Sequence, residues 1–87
     1  MKIKVLGSEA ACGASSTNGS NFNNSTHVRV FNDSTANLEV SIETSANVLI
    51  GKFHLAGGAS EIVVKDPSDE IFAESTDVRG VGIAIEQ

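Results

Sequence analysis

Apolar and polar residues alternate most cleanly between Asn37 and Lys65. Leu38, Val40 and Ile42 interleave with Glu39, Ser41 and Glu43, a period of two that puts one set on a buried sheet face and the other in water. Thr44 to Asn47 supply turn residues, and a second apolar run, Val48 to Leu55, carries Leu49, Phe53 and Leu55 in one phase. Ala56-Gly57-Gly58-Ala59 breaks that run before a third begins at Ile62, Val63 and Val64. Three strands joined by one polar and one glycine turn predict a β-meander.

The flanks extend the pattern. Lys2 to Leu6 reads as a short strand, Ile3 and Val5 opposite Lys2 and Lys4, and lysines on a terminal strand suit a sheet edge. His27 to Phe31 alternates again, with Val28 and Val30 inward, before the Asn32-Asp33-Ser34-Thr35 turn. Pro67 marks an exit from the sheet, because proline has no amide proton to donate to a ladder. Ser68-Asp69-Glu70 ahead of Ile71-Phe72-Ala73 reads as the start of one helical turn in preference to a short strand. In the last strand, from about Val78 to Glu86, Val81, Ile83 and Ile85 share one side and Gly80, Gly82 and Ala84 the other. Val78 is out of phase with Val81, which suggests a bulge near Arg79-Gly80. The phasing predicts Val40, Ile42, Phe53 and Ile83 buried and Glu39, Glu43 and Lys52 exposed.

Gly7 to Thr26 differs in kind. Fourteen of its twenty residues are Gly, Ser, Asn or Thr, and Phe22 is its one large apolar side chain. So long a loop is uncommon inside a compact domain, so it is expected to be mobile in the free protein and ordered by a neighbour. Phe22 either tucks onto its own domain or inserts into a partner. Together the elements predict a single all-β domain over residues 1–87. It is a small antiparallel β-sandwich or barrel of six to seven strands, with a long N-terminal loop at 7–26.

Composition narrows the chemistry. Leu, Ile, Val and Phe total 24 of 87 residues, enough to exclude a disordered chain but only for a thin core. The single cysteine, Cys12, forms no intrachain disulfide, and with His27 and His54 scattered there is no Cys/His metal cluster. Flanked by alanine and glycine with no base nearby, Cys12 reads as a small residue and not as a reactive thiol. Self-association, or docking on a larger assembly, is the remaining source of stability. The net charge is −5 and the six basic residues are dispersed, so nucleic-acid binding, which depends on neutralising phosphates, is not expected. Neither a secretory hydrophobic region nor an apolar run of about 20 residues is present. Synthesis in a cytoplasm and no membrane partner are therefore expected. The sequons at Asn18, Asn24 and Asn32 read as loop composition.

No constellation for catalysis emerges. Asp66, Asp69 and Glu70 lack the spacing of a calcium loop and read as an exposed acidic turn. Glu39, Glu43 and Glu61 lie on outward positions, and His54 is a surface residue. Gly57-Gly58 lacks the lysine and hydroxyl of a phosphate loop, and no Gly-x-Ser-x-Gly elbow occurs. No catalytic residue, metal ligand or cofactor is assigned, and an enzyme is not expected. The small residues Gly80, Gly82 and Ala84 leave a flat face open to close packing. With Phe22 they are the candidate partner-binding residues.

From Val28 onward the chain resembles a family of short virion proteins from tailed phages. The resemblance is carried by Val28-Arg29-Val30-Phe31-Asn32 with its polar turn, by Leu38-Glu39-Val40-Ser41-Ile42, and by Gly51 to Glu61 with its Ala56-Gly57-Gly58-Ala59-Ser60-Glu61 hairpin. Val63-Val64-Lys65-Asp66-Pro67-Ser68-Asp69-Glu70-Ile71 and Val81-Gly82-Ile83-Ala84-Ile85 complete it. It implies a non-enzymatic decoration, or cement, protein that binds and stabilises the capsid surface, docks on the major capsid protein or another virion protein, and resides in the virion. The family contributes no catalytic residues, and Gly7 to Thr26 lies outside the pattern. A homo-oligomer is expected, a trimer being favoured because it matches the local three-fold positions of icosahedral shells. Two other readings stand beside this one: a receptor- or glycan-binding module of a tail or neck appendage, and a cellular protein-interaction domain. The lack of Trp and Tyr counts against glycan stacking.

Overall fold

The computed structural model describes residues 2–86. Alternating runs become strands β1 (Lys2–Val5), β2 (Ala10–Ala11), β3 (His27–Asn32), β4 (Leu38–Glu43), β5 (Leu49–Leu55), β6 (Ser60–Val64), β7 (Glu70–Ala73) and β8 (Val78–Glu86), with one 3-10 turn at Ser16–Asn18. They form two antiparallel sheets. The larger has the order β1-β8-β3-β6, with β2 also on β8; the smaller is β5-β4-β7. The fold is all-β and is a small sandwich.

The core lies between the sheets. Val28, Val30, Val63 and Val78 of the larger sheet pack in one cluster with Val40, Leu55, Ile71 and Ala73 of the smaller. Cross-strand register explains the selection: Val28 stands opposite Val63, and Val40 opposite both Phe53 and Ala73. Directly opposed residues share a sheet face, so inward valines stack against inward valines. Asn32 is fully buried at the end of β3. Its amide nitrogen donates to Leu55 O and Ala36 O, both at 2.8 Å, and its oxygen accepts from the Ser34 amide and hydroxyl. This side chain ties the larger sheet to the smaller.

Several expectations are corrected. Eight strands form, not six or seven, because Ala10–Ala11 pairs with Arg79 and Gly80 and because Glu70–Ala73 pairs with β4. Residues Glu70–Ala73 are therefore a strand and not a helical turn; β4 presents a free edge that a strand satisfies and a turn does not. No bulge breaks β8 against β3, whose register runs evenly from Asn32↔Val78 to Val28↔Gly82. The irregularity is in the N-terminal segment: Val5 pairs with Ile83 but Ala10 with Gly80, leaving two extra residues between β1 and β2. Val40 and Ile83 are buried as expected, whereas Ile42 and Phe53 are half-buried against the core. Lys52 is exposed, Glu39 half-buried and Glu43 buried.

Candidate functional site

The segment between β2 and β3 is not a free loop. Cys12 is fully buried, and its amide donates to Val78 O at 3.0 Å. Ala73 N donates to Gly13 O, and Ser20 and Ile71 exchange two backbone hydrogen bonds at 2.8 and 3.0 Å. The chain thus leaves the larger sheet at β2, crosses to the open edge of β7, and returns carrying Phe22 into the core. Phe22, Asn23 and Asn24 all adopt left-handed backbone, with φ of 51°, 63° and 59°. Asparagine tolerates that region and phenylalanine resists it. The turn is held by Asn21, whose side chain bonds Asn24 twice, and by Ser25, whose hydroxyl donates to Phe22 O at 2.6 Å.

This arrangement corrects the partner-binding assignment. Gly80 and Gly82 do not form an open face. A Cβ on Gly80 would lie 2.8 Å from Phe22 Cζ and 3.1 Å from Val28 Cγ1, and one on Gly82 would collide with the Ser25 hydroxyl. The glycines make room for the chain's own return segment. Phe22 is buried by the same contact, and Ala84 alone of the four remains half-exposed. The other side of β8 is apolar and is buried as well, with Val81 6% and Ile83 2% exposed. There Ile83 stands opposite Val5, Ile85 opposite Ile3, and Val81 opposite Arg29. Arg29 sits 5.9 Å above the Phe31 ring and shares Glu9 with Arg79.

Glu43, like Ser41, is a buried polar group that alternation does not anticipate. Ser16 Oγ donates to its Oε1. With the Asn47 amide oriented to donate, it reaches Glu43 Oε2 at 3.1 Å and Ser16 O at 3.0 Å. The outward phase of Glu43 is as the sequence predicts; the covering 3-10 turn, which a Gly/Ser/Asn-rich segment does not announce, is what buries it.

A cleft and a projecting hairpin stand out among the described residues. A cleft of about 440 Å³ opens beside the β1–β2 irregularity, with Leu6, Phe22 and Val81 as apolar lining and Ser8, Ser20 and Ser25 as hydroxyls. None of its lining residues is ionisable. At the β4–β5 hairpin, Val48, Leu49 and Ile50 are 61, 54 and 56% exposed. The turn is fixed by Thr44, whose amide donates to Val48 O and whose carbonyl accepts from Asn47 N; Asn47 takes the left-handed position at φ 65°. Register shifts between Ile42↔Gly51 and Glu43↔Leu49, so Ile50 is the unpaired residue of a bulge. Bulges re-aim side chains, and this one leaves three consecutive apolar residues standing in solvent.

Among the described residues no group of three or more His, Cys, Asp or Glu side chains is placed to hold a metal ion. Asp66 and Asp69 instead close their own turn, Asp66 N donating to Asp69 Oδ2. No protein-family model matches the chain, nor does any curated protein or solved structure.

Proposed function

We propose that this chain is a non-enzymatic structural virion protein, a decoration domain that docks on a phage capsid surface and stabilises it. The observation that carries a docking role is the hairpin tip Val48-Leu49-Ile50. Three adjacent exposed aliphatic residues on a rigid turn are unfavourable in water and are kept where they meet a partner. Burying side chains of this size is worth about 1.5–3 kcal/mol each, enough for a small domain to hold a lattice when the contact repeats over many subunits. The capsid as the partner rests on the resemblance of the segments from Val28 to Ile85 to phage virion proteins. The net charge of −5 accords with a protein partner in preference to nucleic acid.

The test is sedimentation of the purified protein with shells that lack it. Wild type is expected to pellet with the shells in hundreds of copies, and Leu49→Asp or Ile50→Asp to stay in the supernatant with unchanged melting temperature. Failure of the wild type to pellet refutes the capsid reading. A stoichiometry of a dozen or fewer places the docking site on a tail or neck.

A further inference from the structure

Each sheet of the sandwich has two edges, and three of the four are guarded. β1 carries Lys2 and Lys4. β5 carries the bulge at Ile50 and the exposed Lys52. β7 is covered by Gly13 and Ser20. Lysines, bulges and covering segments are the ordinary protections against edge-to-edge pairing. β6 has no bulge and no covering segment, and the one lysine at its end, Lys65, is buried. Its five residues, Ser60-Glu61-Ile62-Val63-Val64, end the larger sheet with no partner beyond β3 among the described residues.

The ladder says which groups are free. Lys65 N donates to Thr26 O and Asn32 N to Ala59 O, and the register Val28↔Val63 lies between them. Hydrogen-bonded pairs alternate along an antiparallel ladder, so Glu61, Val63 and Lys65 face β3. The N–H and C=O groups of Ser60, Ile62 and Val64 point away from it. Ile62 is 36% and Val64 71% exposed.

We propose that β6 pairs antiparallel with β6 of a second copy, about a two-fold axis at Val63. That register sets Ile62 opposite Val64 of the second copy, and Val64 opposite Ile62. Four backbone hydrogen bonds form from groups that otherwise face water. It also sets Glu61 opposite Lys65 of the second copy, twice by symmetry. Lys65 is 7% exposed; its ammonium is held by the Asp66 and Pro67 carbonyls near Asp66, Asp69 and Glu70, which fixes it at the strand end where Glu61 of the second copy would meet it. Shifting the axis to Ile62 would lose this complementarity, putting Glu61 against Val63. A closed two-fold pair consumes the open edge on both copies and cannot grow into a fibre. It takes the place of the trimer, whose glycine face is filled by Phe22 and Ser25.

The contact is an edge and not a whole face. Interfaces below about 1,200 Å² in total are weak, so the dimer is expected to be populated at about 100 µM and dissociated at about 1 µM. Sedimentation equilibrium of the purified protein, without shells, reads this directly and is independent of capsid binding. Ile62→Pro removes an outward N–H that no intramolecular bond uses, and Ile62→Lys adds the missing guard while keeping the strand. Each is expected to weaken association at least tenfold with an unchanged circular dichroism spectrum. Carbodiimide coupling of the wild type should give a Glu61–Lys65 link confined to the dimer band, because within one chain these residues are four positions apart on an extended strand. A monomer at every concentration overturns the proposal, as does a dimer that persists in the Ile62→Lys protein. A dimer without the Glu61–Lys65 link overturns the register.

Discussion

The contact between Phe22 and Gly80 can be tested as a pair. Phe22 is 9% exposed and reaches the core over a glycine with no room for a methyl group. Truncation by Phe22→Ala should destabilise the domain by about 3–5 kcal/mol, the usual range for a buried phenylalanine. A domain of this length has a total stability of about 4–13 kcal/mol at ordinary values per residue, so this is a large fraction of it. Gly80→Ala places a Cβ 2.8 Å from the ring and should cost about 1–3 kcal/mol by overpacking. In the double variant the new methyl group enters space the ring has left. The two effects should therefore fall short of their sum by about 0.5–3 kcal/mol, the range for residues in contact. Urea denaturation followed by circular dichroism measures all four corners of the cycle. Strict additivity, or a Phe22→Ala protein as stable as wild type, would refute the claim that the 12–26 segment is part of the core.

Deleting residues 8–24 should unfold the chain, since it removes Cys12 and Phe22 together with the partners of β7; a folded deletion protein in a thermal melt would contradict this. Burial pushes the Cys12 thiol up to about 12 from its ordinary 9.0. Above pH 9 the unfolded chain loses this proton while the folded chain keeps it, so stability should fall by about 1.4 kcal/mol per pH unit up to pH 12. Lys65, lowered by burial below 10.5, acts in the opposite direction in the window beneath that value, so the thiol contribution is read as the slope difference between wild type and Cys12→Ala in urea titrations. Asn32→Ala leaves the buried Leu55 carbonyl without its donor and should cost at least about 1–3 kcal/mol, measured by the same denaturation.

The strands were legible because alternation is a direct record of which face is buried. Val28, Val30 and Val40 point inward as their phase requires. The last strand was read correctly in its two phases, and Ile83 is buried as its phase requires. What the sequence did not show is that Gly80 and Gly82 are covered too, and only the position of Phe22 reveals it. Phe22 itself is the signal that was available: one large apolar side chain in a polar segment, facing two glycines in a strand. The 3-10 turn over Glu43 had no comparable mark, because serine and asparagine suit a turn and a mobile loop equally well. The tip Val48-Leu49-Ile50 was read as ordinary strand, since a bulge leaves no trace in an apolar run.

The N-terminal segment pairs with the last two strands, β8 through Lys2–Val5 and Ala10–Ala11 and β7 through Ser20. Lys2 stands opposite Glu86, Ala11 opposite Arg79, and Ser20 opposite Ile71. Contacts so far apart in sequence close slowly, because loop entropy is lost before they form. During synthesis the first residues must wait, unpaired, until the chain through Glu86 is free. A serine- and asparagine-rich segment is well suited to that interval, since it stays solvated where an apolar one would aggregate. The polar composition that conceals its structural place thus also protects the nascent chain until the last strand arrives to receive it.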